Sequence, residues 1–287
     1  MPETLASVQA KNAPRRASGP RPLRASIRAT SKQTAVRSRN VVGVLRGRGS
    51  RRDEYVVYAA HLDHAGIGEP VDGDAVYNGA VDNASGVAAL LSIAEAFARL
   101  PAPPDRSVVF LATTAEEPGI LGSDYFVRRG PIPRKQIVAA LNIDGATLMV
   151  HPLRDVSVMG ASNSTLGEAA RAAGRSTGLA VHPADLPLLG SDHFPFARAG
   201  IPALWAIAGQ ETGRDDLDGA WLQREWIKTR LHTPKDDMSQ PLDFQAAADL
   251  AAFDFEIGRL IANGHKIPTW NEDTILGRFL TKRCKED

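Results

Sequence analysis

Three short apolar runs constrain the fold of this chain more than any other feature. They span residues Tyr55–Ala60, Val108–Thr113 and Ile137–Ile143, are rich in β-branched residues and are too short to be helices. Runs of this kind, without alternating polar positions, are typical of strands buried on both faces of a sheet. We therefore predict three neighbouring buried strands.

The segment between the first two runs has the pattern of an amphipathic helix. Residues Ser85–Arg99 place apolar side chains at spacings of three and four, and prolines at positions 101 and 103 end the helix. The apolar stripe with this spacing is Ala88, Leu91, Ala94 and Ala98, and it is flanked by Val87, Leu90 and Phe97.

Strand and helix patterns continue to alternate along the rest of the chain. This alternation predicts an α/β fold, a three-layer αβα sandwich with a central mixed, mostly parallel β-sheet. The further elements predicted are strands at 23–27, 40–45 and 201–207, and helices at 164–177 and 243–263.

The overall composition is that of a globular protein, and its charge is nearly balanced. The 287 residues are 43% hydrophobic, with 34 basic and 33 acidic side chains. We therefore expect neither nucleic acid nor a membrane as partner. Residues 1–40 carry nine basic side chains and one acidic, so we predict a flexible basic arm at 1–20 and one catalytic domain at 21–287. The opening residues do not have the pattern of a signal peptide, and we expect no export signal in this chain.

Cysteine cannot build a metal site here, because Cys284 is the only cysteine. Any metal must be held by histidine and carboxylates. Such residues follow the three predicted strands: His61 after the first, Glu116 and Glu117 after the second, and Asp144 after the third. Loops at the carboxyl ends of neighbouring parallel strands converge, so we expect these side chains to meet at one edge of the sheet.

Each candidate segment also has an ordinary structural explanation. The histidine of His61-Leu62-Asp63 can be a structural histidine, and Asp82 can be a helix cap. The adjacent carboxylates of Glu116 and Glu117 can lie in a surface turn, and His232 can be an ordinary loop residue. The residue types taken one at a time leave these alternatives open.

Six segments in a fixed order carry more information than any one of them. They are AAHLDH, YNGAVDNASG, TTAEEPGILGSDYF, LNIDG, GSDHFPFARAGIPAL and LHTPKDD. In order and spacing, this set resembles the M28 family of zinc aminopeptidases and their carboxypeptidase-like relatives. The resemblance runs from about Asn40 to Asp243.

The resemblance implies a site for two zinc ions per chain with Glu116 as the general base. Asp82 would bridge the two ions. One ion would be completed by His61 and Asp144, and the other by Glu117 and His232. Zinc accepts imidazole nitrogen and carboxylate oxygen, so the residue types suit this assignment.

Four further expectations concern the surroundings of this site. Asp63 would orient His61 from behind, and the peptide bond between Asp82 and Asn83 would be cis. Asp192 and His193 would shape the substrate pocket. The remaining histidines receive no role from the resemblance and are expected in loops or on the surface: His64, His151, His182 and His265.

The function implied by the resemblance is hydrolysis of N-terminal residues from peptide substrates. Two other functions are compatible with the same fold: a noncatalytic binding domain, and a single-zinc aminoacyl cyclase. Relatives in this family are often exported and carry a protease-associated domain. The oligomeric state, the preferred side chain of the substrate and the compartment are not indicated by these motifs.

Overall fold

The computed structural model of the protein describes residues 26, 28–31, 35–145, 150–187 and 189–286, the last five of them as backbone only. The basic arm predicted at residues 1–20 and most of the strand predicted at 23–27 lie outside the described residues. The strands within the described part are β1 (Val41–Leu45), β2 (Tyr55–His61), β3 (Gly66–Val71), β4 (Asp74–Tyr77), β5 (Ser107–Thr113), β6 (Ile137–Asn142), β7 (Asp155–Met159), β8 (Ala180–Ala184) and β9 (Ala203–Ala208).

Seven of these strands form one mixed sheet in the order β1-β5-β2-β6-β9-β7-β8. The central strands β5, β2, β6 and β9 are parallel to one another, and β8 is parallel to β7. Only β1 with β5 and β7 with β9 pair antiparallel. The predicted mixed, mostly parallel sheet is confirmed. The three apolar runs form β5, β2 and β6, side by side at its centre.

Helices cover both faces of this sheet. They are α1 (Gly86–Ala98), α2 (Leu121–Arg129), α3 (Leu166–Thr177), α4 (His193–Arg198), α5 (Gly219–Thr229), α6 (Phe244–Asn263) and α7 (Ile275–Glu286). One core layer contains buried side chains of α1, α3 and α6, and the other contains buried side chains of α2, α4 and α7. The three-layer arrangement is therefore as predicted.

Strand β2 shows why the apolar runs are continuous. Successive side chains of a strand point to opposite faces. Val56 and Tyr58 pack in the layer with α1, α3 and α6, whereas Val57 and Ala59 pack in the layer with α2, α4 and α7. All four are almost completely buried. Because both faces of β2 are covered, neither face can carry polar residues.

The buried face of α1 differs from the predicted stripe. Leu90, Ile93 and Phe97 are buried in the core, whereas Leu91 is 66% exposed. The buried positions have the same helical spacing as the predicted ones, but they carry larger side chains. Burying more apolar area stabilises the fold more. The helix therefore buries the stripe with the larger side chains, although both stripes have the same periodicity.

A hairpin that the sequence analysis did not predict lies between β2 and α1. Strands β3 and β4 pair antiparallel in a small separate sheet. Asp72 and Gly73 form the connecting turn and both have positive φ, 53° and 90°. An Asp-Gly pair is a favoured two-residue hairpin turn because both residues accept this conformation. Both strands are largely exposed. Their sequences therefore lack the clear alternation of apolar and polar residues from which a strand is predicted.

One helical stretch in the described residues, Ala80–Ala98, is long and apolar enough to cross a membrane by length and composition alone. We expected no such stretch. Its helix α1 packs against β2 and α6, which is the position of a core helix, and core helices often meet the same criterion.

Candidate metal centre

The carboxyl ends of three central strands bring the predicted site residues together. His61 is the last residue of β2 and lies in register with Thr113, the last residue of β5. Glu116 and Glu117 follow β5 closely, and Asp144 follows β6 by two residues. Parallel alignment thus places these side chains at one edge, as the sequence predicted.

His61 lies between two carboxylates. Its Nε2 is 3.1 Å from Oδ1 of Asp82 and 3.1 Å from Oδ1 of Asp144. The imidazole is almost fully buried. Burial opposes the charged form of His61, but hydrogen bonds to Asp144 and Asp82 outweigh it and raise the pKa of the imidazole to about 12. The two carboxylates therefore stabilise a positive charge at this point, and either a proton or a metal ion can supply it.

His232 faces a second pair of carboxylate oxygens. Its Nε2 is 3.2 Å from Oδ2 of Asp82 and 3.3 Å from Oε2 of Glu117. The two oxygens of Asp82 therefore face different histidines, one on each side. The imidazole of His232 is 58% exposed, so this half of the site is open to solvent.

These distances suit metal ions of the size of zinc. Zinc binds nitrogen and oxygen at about 2.0–2.2 Å, and neighbouring ligand atoms of such a tetrahedral site are then about 3.3–3.6 Å apart. The separations around both histidines are close to this range. Ligand atoms of His61, Asp82 and Glu117 all lie within 4.8 Å of one another. In the described part of the chain, the carboxylates of this cluster form ion pairs with histidines. The donor set fits zinc.

Asp236 fixes the backbone that carries Asp82. Its carboxylate accepts hydrogen bonds from the backbone N–H of Val81 and of Asp82, both at 2.9 Å, and from Nε2 of Gln240. Asp236 is fully buried. The sequence predicted no role for it, since an aspartate in the polar stretch after His232 has no local mark of burial.

Asn83 ties the same segment to two strand ends. Its Nδ2 donates to the carbonyl of Ile143 at 2.9 Å and to the carbonyl of His61 at 3.4 Å. The peptide bond between Asp82 and Asn83 is cis, as predicted. Three segments that carry ligands are thus connected through one buried amide side chain.

Asp144 is held by two side chains that the sequence did not single out for this role. Ser191 donates a hydrogen bond from Oγ to Oδ2 of Asp144, and Trp205 donates from Nε1 to its carbonyl oxygen at 2.9 Å. Oδ1 of Asp144 is left to face His61. The serine lies in the GSDHF segment, and its role was not visible without the fold.

Asp63 contacts the site differently from the expectation. The atom close to Nδ1 of His61 is the backbone carbonyl oxygen of Asp63, at 3.0 Å, rather than its carboxylate. The carboxylate instead accepts a hydrogen bond from the backbone N–H of Glu116 at 3.1 Å. Asp63 therefore connects His61 to the turn that carries Glu116.

Glu116 lies beside the ligand cluster without an ion pair among the described residues. Burial raises the pKa of its carboxyl to about 8. His61 opposes this shift, and the nearby carboxylates of Asp144, Asp192 and Glu117 add to it. A carboxylate whose pKa is raised in this way is suited to accept and return a proton near neutral pH.

Two non-glycine residues of the site have positive φ. Ala115, just before Glu116, has φ of 55°, and His232 has φ of 54°. This conformation is unfavourable for residues with a Cβ and persists where the surrounding structure enforces it, which is common at functional sites.

Asp192 and His193 lie behind the site rather than on an open pocket wall. Asp192 is fully buried and accepts hydrogen bonds from Oγ1 of Thr113 and from Oγ of Ser123. His193 is 1% exposed, donates from Nε2 to the carbonyl of Pro187 and stacks on Trp205 with ring centroids 5.4 Å apart. Neither side chain has the exposure of the pocket-lining position expected from the sequence.

His64 lies in the loop between β2 and β3, as expected, but it is not on the surface. Its side chain is only 7% exposed and its Nδ1 lies 2.5 Å from Oε1 of Glu117. Its ring centroid is 5.9 Å from that of His232. The sequence around His64 has no helix or strand pattern, so the contact with Glu117 could not be predicted from it.

Comparison with known proteins agrees with the geometry of the site. The model of peptidase family M28 matches residues 40–254. The chain is 26% identical over 216 residues to aminopeptidase YwaD of Bacillus subtilis, covering 74% of this chain and 42% of the relative. It is 30% identical over 205 residues to a glutamate carboxypeptidase 2 homolog of Caenorhabditis elegans, covering 62% and 25%. The chain thus spans less than half the length of these two relatives.

Solved structures show the same fold. A zinc aminopeptidase from Bacillus subtilis matches with a TM-score of 0.61 at 23% identity, over 79% of this chain and 51% of the other. A peptidase M28 precursor from Shewanella amazonensis matches with a TM-score of 0.58 at 21% identity, over 79% and 45%. Since the family match covers well over half of the residues, the chain belongs to peptidase family M28.

Proposed function

We propose that this chain is a zinc aminopeptidase that binds two zinc ions and uses Glu116 as its general base. The observation that carries the proposal is the position of Asp82, whose two carboxylate oxygens face His61 on one side and His232 on the other. A carboxylate shared in this way is the arrangement expected of a two-metal site. The aminopeptidase activity of the Bacillus subtilis relative supports the reaction class.

Each ion would have its own pair of ligands besides Asp82. His61 and Asp144 would hold one, and Glu117 and His232 the other. Zinc, when bound, polarises the scissile carbonyl and lowers the pKa of the attacking water. The buried half around His61 excludes solvent, whereas the open half around His232 leaves room for a peptide to enter.

Glu116 would carry the proton through the reaction. Its carboxylate takes a proton from water as the water oxygen forms its bond to the carbonyl carbon. When the carbon–nitrogen bond breaks, Glu116 returns the proton to the leaving amine. The hydrogen bond from its backbone N–H to Asp63 fixes the turn on which this transfer depends. Positive charge from bound zinc would bring the pKa of Glu116 below its metal-free value of about 8.

The test is the substitution Glu116→Gln, which keeps the size of the side chain but removes its basicity. We expect the variant to retain two zinc ions per chain, measured by atomic absorption. Its kcat on an aminoacyl p-nitroanilide should fall by roughly 100- to 10,000-fold, the usual contribution of a general base. An N-acetylated peptide should not be cleaved by either protein.

The matched control is Glu211→Gln, which neutralises a carboxylate outside the site. It should leave both zinc content and kcat unchanged. Turnover by Glu116→Gln at the wild-type rate would exclude Glu116 as the base. A stoichiometry of one zinc would favour the single-zinc cyclase, and cleavage of the acetylated peptide would exclude an aminopeptidase.

A further inference from the structure

Glu117 is a predicted ligand that lies next to a second carboxylate, that of Glu116. Asp82 and Asp144 are each fixed by hydrogen bonds to buried groups, through Asp236 for the backbone of Asp82 and through Ser191 for Oδ2 of Asp144. A corresponding support for Glu117 must come from elsewhere.

His64 is in the position to provide that support. Its Nδ1 is 2.5 Å from Oε1 of Glu117, and the side chains are 7% and 15% exposed. A carboxylate accepts hydrogen bonds, so Nδ1 carries the proton and donates it. With Oε1 engaged, the other oxygen, Oε2, is the one that lies 3.3 Å from Nε2 of His232.

The position of the His64 ring is itself fixed by packing. A Cβ at residue 79 would lie 2.8 Å from Cγ of His64, so glycine at this position, which has φ of 66°, makes room for the ring. Nε2 of His64 is buried and has no hydrogen-bond partner among the described residues. The ring therefore makes its polar contact through Nδ1, on the side of Glu117.

We propose that His64 is a positioning residue that presents a single oxygen of Glu117 to the metal ion on the His232 side. The inference deepens the proposed function and rests on it. Histidines and carboxylates that orient a ligand from behind change metal affinity typically by 10- to 100-fold when they are replaced. Only the His232 half should depend on His64, because the contacts of His61 are with Asp82 and Asp144.

Two substitutions separate hydrogen bonding from packing. His64→Leu fills similar space without a donor. His64→Asn keeps an N–H close to the position of Nδ1. The measurement is calorimetric titration of the metal-free full chain with zinc, which resolves two binding steps. The zinc-dependent rise in melting temperature provides a second measurement for a variant that is destabilised but still folded.

The expected result is that His64→Leu weakens one of the two zinc sites by about 10- to 100-fold and leaves the other unchanged, while His64→Asn recovers most of the loss. Unchanged affinity of both sites in His64→Leu would overturn the inference. Equal weakening in both variants would also overturn it, since that result indicates a packing role alone.

Glu117→Ala distinguishes failure of this inference from failure of the proposed function. If Glu117→Ala weakens one site and His64→Leu does not, only the role of His64 is wrong. If Glu117→Ala leaves both zinc sites intact, the assignment of Glu117 as a ligand is wrong, and the proposed two-zinc function with it. His182→Ala, at an exposed histidine, is the control and should change neither affinity.

Discussion

Two clusters of histidine and carboxylates lie within the residues that the structure describes, and their difference shows what a metal site requires. One is the cluster around His61 and His232. The other is formed by Asp155, His182 and Glu211, with Nε2 of His182 lying 3.3 Å from Asp155 and 3.6 Å from Glu211. By ligand type and by distance alone, both clusters could hold a metal ion.

Burial and support separate the two clusters. His182 and Glu211 are 54% and 58% exposed, so water competes for their ligand atoms. Asp155 is fixed by the backbone N–H groups of Gln210 and Glu211, but the other two side chains extend into solvent. In the first cluster, buried hydrogen bonds fix Asp82, Asp144 and Glu117 before any ion arrives. His232 is also 58% exposed, but the other four predicted ligands are at most 15% exposed. Ligands held in place in this way bind a metal at lower entropic cost, so we expect zinc at the first cluster alone.

The largest effect should follow from removing the shared carboxylate. Asp82→Ala takes one ligand from each ion, and metal activation contributes several kcal/mol to catalysis, so activity should fall by about 1,000-fold or more. Zinc content after dialysis should fall in parallel. Glu211→Ala should retain both zinc ions and full activity. Loss of zinc in Glu211→Ala would show that the exposed cluster is a binding site and would break the comparison.

Asp236→Ala tests the support behind Asp82. The substitution leaves the buried N–H groups of Val81 and Asp82 without their carboxylate partner, which should lower the free energy of unfolding by about 3 kcal/mol. Urea denaturation of the metal-free protein measures this change. The control is the neighbouring Asp237→Ala, whose carboxylate bonds to the nearby Ser239 and whose loss should change stability little. Equal effects of both substitutions would contradict the role of Asp236.

A smaller, pH-dependent effect should distinguish Glu116 from Glu211 in the metal-free protein. Burial raises the pKa of Glu116 from 4.5 to about 8, so the folded state binds a proton that the unfolded state releases between these values. The stabilisation is present below pH 4.5 and is lost as the pH rises through 8. Glu116→Gln should therefore become progressively more stable than wild type, by roughly 1–2 kcal/mol above pH 8 after allowance for partial exposure.

Urea denaturation at pH 5 and at pH 8.5 measures this difference. Glu211→Gln is the control, because its carboxylate is 58% exposed, and its stability relative to wild type should change much less between the two pH values. If Glu116→Gln shows no larger pH dependence, exclusion of water does not distinguish the two clusters.

The smallest effect is expected for His182→Ala. Exposed ion pairs contribute about 0–1 kcal/mol, so thermal unfolding should shift by only a few degrees and zinc stoichiometry should stay at two. If the wild-type protein binds a third zinc ion and His182→Ala does not, the exposed cluster is a metal site and the contrast between the clusters is wrong.

The central part of the fold could be predicted because its signals are local. Strands β2, β5 and β6 are buried on both faces, so their sequences are apolar without interruption. Strand β8 was missed because it lies at the edge of the sheet, contains Pro183 and is largely exposed. Strand β7 lies between β9 and β8 and was missed because Asp155 and Ser157 interrupt its short apolar run. Helix α5 was missed as well, since most of its residues remain at least partly exposed.

The candidate site could be predicted in its ligand types and in their order, but not in its supports. The contact from Asp236 to Asp82 spans 154 residues, and Ser191 reaches Asp144 across 47. The periodicity of apolar residues along a segment does not indicate a hydrogen bond between positions so far apart in the chain. The same limit explains why the contact of His64 with Glu117 was not predicted and why Asp192 and His193 were expected in the pocket.

The sequence by itself determined the central strands of the sheet, the three layers and which residues can act as ligands, because apolar periodicity and residue chemistry are properties of short segments. Only the tertiary structure decided which carboxylate lies between two histidines, which oxygen of Glu117 faces His232 and which histidine cluster is buried. These properties depend on packing between segments far apart in the chain, where burial and hydrogen-bond geometry are fixed together.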